Sequence, residues 1–219
     1  MAETAIRPER IRQRLGQALP GNVAQRRYAP ELSYGRHAGP PGPGFREAAV
    51  VALCFPRDGT WRVVLTLRPR HLPQHPGQVC FPGGELESGE TLVDCALREL
   101  REELGVNSGD VQVLGALSPI YVFASHFLVT PFVGWLPMAP ELSPDHREVA
   151  EVIELPLSKL WPEQEILSAW IERRGLRFRA PHFHHKGHSI WGATSMILGE
   201  LGDVLRESNS LGGTVPGGP

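Results

Sequence analysis

The chain has 219 residues, of which 41% are hydrophobic and 21% charged, and its formal net charge is -2. This length suits one hydrophobic core, and this composition is typical of a soluble globular domain. The near-neutral charge argues against non-specific binding to nucleic acid or to a membrane surface. No apolar run reaches the roughly 18 residues of a membrane span, and no apolar core follows the charged N-terminal residues, so we expect neither a transmembrane helix nor a secretory signal.

The cysteines give a first indication of the compartment. Cys54, Cys80 and Cys95 are widely spaced, odd in number, and outside any CxxC pattern. This pattern predicts buried or incidental thiols in a reducing compartment rather than a disulfide or zinc framework. We therefore expect a cytoplasmic protein.

The first 45 residues are predicted to divide into a short helix and an irregular arm. Residues 8–18 can form the helix, with Ile11, Leu15 and Leu19 along one face. The sequence from there to Phe45 is rich in Pro and Gly, so we expect a partly disordered arm on the surface of the domain.

A β-hairpin is predicted next. Residues 48–55 are a continuous apolar run of strand length, and an Asp-Gly turn separates them from a second strand over 61–69. The second strand alternates, which leaves Arg62, Thr66 and Arg68 available to solvent or to a ligand.

The segment 84–106, GELESGETLVDCALRELREELGV, contains a predicted amphipathic helix. Thr91 is the expected N-cap, with Asp94 three residues later, and Gly105 is the expected C-cap. The turns between the other elements are rich in Pro and Gly, including the loop 70–78 that precedes this segment.

Three carboxylates share one side of this helix. At about 100° per residue, Glu99, Glu102 and Glu103 fall within an arc of roughly 100°. The apolar stripe lies elsewhere on the helix and consists of Val93, Leu97, Leu100 and Leu104. Like charges at these spacings repel each other, but a cluster of hard oxygen ligands is well suited to Mg²⁺ or Mn²⁺.

The rest of the chain is predicted to contain strands and helices in alternation. The predicted elements are strands within 111–122, 125–136 and 151–155, a helix over 157–170, a hairpin around 185–187 and a helix over 194–205. Interleaved strands and helices of this kind predict a mixed sheet covered on both faces.

The segment 84–106 fits the pattern G-x5-E-x7-R-E-U-x-E-E-x-G-U, in which U is a bulky aliphatic residue. The fixed positions are Gly84, Glu90, Arg98, Glu99, Leu100, Glu102, Glu103, Gly105 and Val106. This is the Nudix box, and the chain therefore resembles the Nudix hydrolase superfamily. The resemblance implies an α+β fold, a Nudix-like α/β/α sandwich with a central mixed sheet flanked by helices. It divides the chain into an N-terminal helix and arm (1–44), a Nudix hydrolase domain (45–206) and a disordered tail (207–219).

Three further stretches resemble the coenzyme A pyrophosphatase branch of that superfamily. These are the stretch 65–84, LTLRPRHLPQHPGQVCFPGG, the Glu-Val-Ala-Glu run in 142–160, and the Ile-Trp-Gly-Ala-Thr run in 189–198. The first departs from the branch signature at Pro69, where Ser or Ala is usual, and at Pro73, where Arg is usual. The loss of that arginine removes one phosphate contact, for which Arg70 is a nearby replacement.

The resemblance implies hydrolysis of a diphosphate linked to another moiety, with Mg²⁺ or Mn²⁺ as cofactor. For coenzyme A the products would be 3′,5′-ADP and 4′-phosphopantetheine. Expected metal ligands are the carboxylates of Glu99, Glu102 and Glu103, with the Gly84 carbonyl as a further one. Divalent ions neutralise phosphate charge and make bound water more acidic.

The remaining site residues follow from their positions beside the box. Arg98 is expected to steer a box glutamate, and Glu90 to anchor the loop before the helix. The general base lies either in the box or on a later loop, where Glu148 is the candidate and a surface loop acid the alternative. Arg68, His75 and Gln78 are candidate substrate contacts, and for Arg68 a solvated strand arginine is an equal alternative.

Other features have a structural explanation that we prefer to a functional one. Four histidines could suggest a zinc site, but a solvated turn explains them better; they are His182, His184, His185 and His188. Glu151 is expected on the polar face of a strand, and Trp191 in the core rather than as a stacking platform.

Three functions remain in view, and the third belongs to a different class from the first two. The first is a coenzyme A or acyl-coenzyme A pyrophosphatase, and the second is the same chemistry on another nucleoside diphosphate derivative such as ADP-ribose or NADH. The third, a non-catalytic Nudix-fold binding module, is disfavoured because every box glutamate is present. In each case the expected partner is a small nucleotide rather than nucleic acid or a membrane, and the choice between monomer and homodimer stays open.

Overall fold

The computed structural model describes residues 7–161, 166–173 and 175–210, and these residues form four helices and two sheets. The helices are α1 (Pro8–Leu15), α2 (Gly21–Gln25), α3 (Leu92–Leu104) and α4 (Ala193–Ser210). The strands are β1 (Arg46–Arg57), β2 (Thr60–Leu67), β3 (Val79–Cys80), β4 (Gly83–Glu85), β5 (Gln112–Ala116), β6 (Ile120–Val122), β7 (Phe127–Trp135), β8 (Glu151–Pro156), β9 (Leu167–Arg173), β10 (Leu176–His185) and β11 (His188–Trp191).

Strand β1 lies at the centre of the main sheet because its apolar run is buried on both faces. The path through the sheet is β3-β2-β1-β7-β5, with β4 also paired to β1, β6 to β7 and β8 to β2. Strands β1 and β7 are parallel, whereas the other pairs of this sheet are antiparallel. The sheet is therefore mixed, as the sequence predicts.

Helices cover both faces of this sheet. Helix α3 packs on one face, in an apolar cluster with alternate residues of β1 such as Val51, Leu53 and Phe55. Helix α4 packs on the other face, together with Ile11 and Leu15 of α1. This arrangement confirms the expected α+β sandwich with a central mixed sheet.

The first hairpin is also confirmed, but one of its predicted exposed positions is wrong. Asp58 and Gly59 both have positive φ angles, 52° and 72°, as a tight two-residue hairpin turn requires. Thr66 is only 1% exposed, because β2 has neighbours on both edges at this point and the Thr66 hydroxyl lies 3.3 Å from Cys80 Sγ.

The helix predicted over residues 157–170 is wrong where the structure describes that segment. Residues Leu157–Leu160 form a single 3-10 turn, 162–165 lie outside the described residues, and Leu167 begins β9. Strand β9 pairs with β10, and β10 with β11, in a separate antiparallel sheet. Alternate residues of β9, Ala169 and Ile171, lie opposite the buried Ala180 and Phe178 of β10. This alternation is that of a strand and not of a helix.

The N-terminal arm is an integral part of the layer around α4. It contains α2 and three 3-10 turns, Arg26–Tyr28, Glu31–Ser33 and Arg36–Ala38. The buried carboxylate of Glu200 in α4 accepts hydrogen bonds from Gln25 Nε2 (2.9 Å), Gly21 N (3.1 Å) and Ser118 N (3.2 Å). The arm therefore packs across the sheet from α3. At the other end α4 continues to Ser210, and residues 1–6 and 211–219 lie outside the described residues.

Two further expectations concern the thiols and the membrane. All three cysteines are free, and Cys54 and Cys95 are buried. None of the helices within the described ranges has the length and apolarity to cross a membrane.

The Glu200 contacts predict a large loss of stability when this carboxylate is removed. In Glu200→Ala, three donors lose their acceptor at a buried position, so we expect the free energy of unfolding to fall by about 3 kcal/mol. Urea denaturation of the purified protein measures it. The matched control is Glu141→Ala in an exposed loop, for which a change below about 0.5 kcal/mol is expected. Equal changes in the two variants would contradict an anchoring role for Glu200.

Candidate active site

Helix α3 is held firmly at both ends and along its apolar side. The Thr91 side chain accepts a hydrogen bond from the backbone N–H of Asp94, and Gly105 ends the helix with a φ of 71°. The side formed by Cys95, Ala96, Leu100 and Leu104 packs against β1. Both caps were predicted from the sequence, and together they fix which side chains of α3 face the sheet.

The guanidinium of Arg98 organises the acidic side of α3. Its Nε lies 2.6 Å from Glu90 Oε1, and its Nη1 lies 2.8 Å from Glu99 Oε1 and 3.0 Å from Glu102 Oε2. Its Nη2 donates to the carbonyl of Glu85 at 3.2 Å. One cation thus ties the loop before the helix to two of the box glutamates, and its hydrogen bond lowers the pKa of Glu90.

The loop that follows β7 folds back onto the C-terminal end of α3. The backbone N–H of Ser143 donates to the carbonyl of Leu104, and that of Asp145 to the carbonyl of Glu103, each at 2.9 Å. Val149, at the other end of this loop, is fully buried against the α3 cluster. These contacts bring Glu148 beside the helix.

Three carboxylates meet between α3 and this loop. One oxygen from each of Glu99, Glu103 and Glu148 lies within 4.8 Å of the other two. Glu102 does not join this group: its side chain is 51% exposed and pairs with Arg98. The structure thus brings together two of the three predicted box ligands and the candidate base, which we call the acidic group.

The acidic group is electrostatically strained. Glu103 is only 2% exposed, and its Oε2 has no hydrogen-bond partner among the described residues. Burial, followed by the charge of Glu99, raises the pKa of Glu103 to about 8, and burial also raises the pKa of Glu99. Like charges this close need either a bound proton or a cation.

Two glycines of β4 allow close approaches beside the acidic group, one to a glutamate side chain and the other to β1. A Cβ on Gly84 would overlap the Glu99 carboxylate, and one on Gly83 would overlap the carbonyl oxygen of Ala49. The Gly84 carbonyl, a predicted metal ligand, accepts a hydrogen bond from Cys95 Sγ at 3.5 Å. The glycines are needed because β4 pairs with β1 at these positions while the Glu99 carboxylate lies against Gly84.

The predicted substrate contacts lie on the loop between β2 and β3. The charge of Arg68 acts on Glu103 and lowers its pKa, so this guanidinium belongs to the site region. Arg68 Nε also donates to the carbonyl of Gln74 at 3.2 Å. His75 has a φ of 53°, and its Nδ1 lies 2.7 Å from Gln78 Oε1. His75 and Gln78 therefore hold the loop together internally.

One site residue was missed by the sequence analysis. Cys80 lies beside Thr66, and burial and the charge of Glu103 raise the pKa of its thiol to about 11. No spacing in the sequence distinguishes Cys80 from an incidental thiol, because its place depends on the pairing of β2 with β3.

The comparisons with known proteins agree with this geometry. A family profile described as the NUDIX domain matches residues 45–175. The chain belongs to the Nudix family. A Nudix hydrolase called NudL from Photorhabdus laumondii, described as uncharacterised, is 36% identical over 164 residues, which cover 74% of this chain and 86% of the relative. NudL from Pectobacterium atrosepticum is 36% identical over 159 residues, covering 71% and 81%. The protein is accordingly an enzyme of the Nudix pyrophosphatase class.

Solved Nudix structures share the fold. A MutT/nudix family protein from Enterococcus faecalis superposes with a TM-score of 0.51 at 16% identity, covering 80% of this chain and 68% of that one. A MutT protein from Methanosarcina mazei gives 0.50 at 16% identity, covering 74% and 94%. At these identities the likeness concerns the fold alone.

Nudix hydrolases generally use divalent metal ions, and the acidic group fits such an ion. Its donors are all carboxylate oxygens, which Mg²⁺ and Mn²⁺ prefer, and the buried Oε2 of Glu103 lacks any other partner in the described chain. Among the described residues, these three carboxylates are the group of His, Cys, Asp or Glu side chains whose donor atoms lie close enough together to hold one metal ion. The four histidines do not belong to it. His188 instead pairs with Glu151 at 3.1 Å.

The close approach of Gly84 to Glu99 predicts the effect of adding one methyl group. Gly84→Ala should displace the Glu99 carboxylate and lower kcat for hydrolysis of a nucleoside diphosphate derivative about 100-fold. The melting temperature should change little, because the side chain can swing away. Gly109→Ala, where the added carbon makes only ordinary contacts, is the control. Unchanged kcat in Gly84→Ala would refute the role of this close approach.

The raised pKa of Glu103 predicts how stability varies with pH. The folded state keeps this proton up to about pH 8, against an ordinary value of 4.5, so it binds more protons than the unfolded state between these values. The free energy of unfolding should therefore fall as the pH rises from about 4.5 to about 8. Urea unfolding in the presence of a chelator measures this slope. Glu103→Gln should flatten this pH dependence of the free energy of unfolding, whereas Glu102→Gln should not. An equal slope in both variants would show that a group other than Glu103 causes the pH dependence.

Proposed function

We propose that this Nudix enzyme cleaves the pyrophosphate bond of coenzyme A or acyl-coenzyme A. The products would be 3′,5′-ADP and 4′-phosphopantetheine or its acyl form, and the reaction would depend on Mg²⁺ or Mn²⁺. The observation that carries the proposal is the convergence of Glu99, Glu103 and Glu148 within 4.8 Å. The resemblance of residues 65–84 to the coenzyme A pyrophosphatase signature directs it towards this substrate.

The acidic group supports a division of roles between α3 and the following loop. We assign Glu99 and Glu103 to a divalent ion, which supplies charge neutralisation and a more acidic water when bound. The Gly84 carbonyl is a further candidate ligand, and Glu102 becomes one if it leaves Arg98. Arg98 keeps Glu99 in place because its Nη1 donates a hydrogen bond to Glu99 Oε1.

Glu148 is the residue that we assign to general base catalysis. It is exposed at the mouth of the acidic group, whereas Glu103 is buried. An exposed carboxylate can take the proton from the attacking water and pass it to solvent. Proton transfer by a positioned side chain contributes about 10²- to 10⁴-fold to the rate.

The substrate side of the site is assigned to the loop between β2 and β3. Arg68 is a suitable phosphate contact because its positive charge acts on Glu103 of the acidic group. His75 and Gln78 are hydrogen-bonded to each other inside this loop. We assign both residues to shaping the loop as well as to contacting the substrate. The free thiols favour a reducing compartment such as the cytoplasm.

A second candidate is the same chemistry on another nucleoside diphosphate derivative, such as ADP-ribose or NADH. Pro73 favours it, because a phosphate-binding arginine is usual there in the coenzyme A branch. A binding module without turnover fits less well, since the carboxylates that would hold the metal are all retained.

Product analysis distinguishes these functions. The purified protein is incubated with coenzyme A, NADH and ADP-ribose in the presence of Mg²⁺ or Mn²⁺. We expect cleavage of coenzyme A to 3′,5′-ADP at a rate well above that of the other two. Cleavage of the others with coenzyme A intact would refute the proposed substrate, and no cleavage by the folded protein would favour the binding module.

The same assay tests the base. Glu148→Gln should lower kcat by about 10²-fold or more with a small effect on KM. The matched control is Glu151→Gln, three residues further on, whose carboxylate pairs with His188 outside the acidic group. Similar losses in the two variants would indicate a structural rather than a catalytic role for Glu148.

A further inference from the structure

A short turn in the loop after β7 carries Glu148. The backbone N–H groups of Glu148 and Val149 both donate to the carbonyl oxygen of Asp145, at 2.9 Å and 2.8 Å. Asp145 therefore begins this turn, and the backbone of Glu148 is fixed with respect to it. Residues 145–149 are called the Glu148 turn below.

Both ends of the Glu148 turn are bonded to elements that carry the active site. At one end the backbone N–H of Asp145 donates to the carbonyl of Glu103 at 2.9 Å. At the other end Val149 is fully buried in the apolar cluster of α3, and the N–H of Ala150 donates to the carbonyl of Leu67 in β2 at 2.8 Å. Asp145 is thus attached directly to a residue of the acidic group.

The Asp145 carboxylate adds a side-chain hydrogen bond inside the turn. Its Oδ1 accepts from the backbone N–H of Arg147 at 3.0 Å, which makes an Asx turn. The Arg147 guanidinium also pairs with this carboxylate, with Nη2 2.6 Å from Oδ2. Because the Arg147 side chain is 89% exposed, this ion pair contributes little. The hydrogen bond to the backbone N–H is therefore the side-chain contact that defines the shape of the turn.

Glu148 depends on this turn because its carboxylate lies among like charges. One of its oxygens is within 4.8 Å of an oxygen of Glu99 and one of Glu103, and ionised carboxylates at this spacing repel each other. Glu148 is exposed, so the repulsion favours rotamers that turn its carboxylate towards solvent. No side chain among the described residues forms a hydrogen bond or an ion pair with that carboxylate. The backbone of the turn must then limit how far the carboxylate withdraws.

We propose that Asp145 is a positioning residue that holds Glu148 beside Glu99 and Glu103. Asp145 acts through the backbone of the Glu148 turn and takes no proton itself. This inference rests on the proposed assignment of Glu148 as general base and deepens it, because it names the residue that keeps the base within reach of the attacking water. It does not depend on which nucleoside diphosphate derivative is the substrate.

Steady-state kinetics of two Asp145 variants test the inference. The substrate is the derivative that the wild-type protein cleaves fastest in the product analysis. Asp145→Ala should lower kcat about tenfold with little change in KM, because a misplaced base slows the chemical step and leaves binding intact. Asp145→Asn keeps an oxygen that accepts from the backbone N–H of Arg147, so its kcat should lie within about twofold of the wild type. Equal losses of kcat in the two variants would overturn the inference.

A double-mutant cycle separates this role from a general structural one. In a chain that already carries Glu148→Gln, Asp145→Ala should lower kcat by less than about twofold, because the residue through which it acts is gone. The control Glu141→Ala, in an exposed part of the same loop, should leave kcat unchanged in both backgrounds. A tenfold loss from Asp145→Ala in both backgrounds would show that Asp145 does not act through Glu148.

Hydrogen exchange followed by mass spectrometry gives a measurement that needs no substrate. The amides of Arg147, Glu148 and Val149 should exchange at least about tenfold faster in Asp145→Ala than in the wild type. Asp145→Asn should restore their protection, and the amides of α3 should exchange at the same rate in all three proteins. Unchanged exchange of the Glu148 turn in Asp145→Ala would overturn the inference.

The two proposals fail separately. Cleavage of another derivative with coenzyme A intact would refute the proposed substrate, while the kinetic comparison of the Asp145 variants proceeds on the derivative that is cleaved. A large loss of kcat in Glu148→Gln together with full kcat in Asp145→Ala would keep the assigned base and overturn its positioning by Asp145.

Discussion

Repulsion among the carboxylates beside α3 is the constraint on which the rest of the structure depends. Glu99, Glu103 and Glu148 hold oxygens within 4.8 Å of one another, and Glu103 does so in a buried position. Such a group stays together only if its supports are rigid. The caps of α3, its packing on β1 and the backbone bonds from the following loop supply that rigidity, and Arg98 supplies the opposite charge.

The parts of the site that lie close together in the chain could be predicted from the sequence. Helix α3, its Thr91 and Gly105 caps and the Arg98 contacts all arise within about four turns of chain, where helical spacing decides which side chains meet. The first hairpin is equally local, because Asp58 and Gly59 fix its turn. Here sequence and structure agree because few distant contacts compete with the local preference.

The features that were wrong or missed depend on distant contacts. The helical wheel places Glu103 on the same side as Glu102, but the loop that covers Glu103 begins 39 residues later in sequence, at Leu142. The spacing of residues 157–170 allows a helix, yet pairing with β10 makes a strand of Leu167 and those that follow. The composition of the arm indicates irregular chain, and contacts with distant residues, such as Gln25 with Glu200 and Arg27 with Asp203 of α4, give it a fixed place.

The anchoring of the arm to α4 has a consequence for the order in which the chain folds during synthesis. The apolar side of α1, with Ile11 and Leu15, finds its partners on α4, which begins at Ala193. Contacts of such large sequence separation form late, so the first helix leaves the ribosome long before the surface that buries it. Both segments lie outside the stretch 45–175 that matches the family profile. An expressed fragment cut to those limits would therefore lack the helices that cover one face of its sheet.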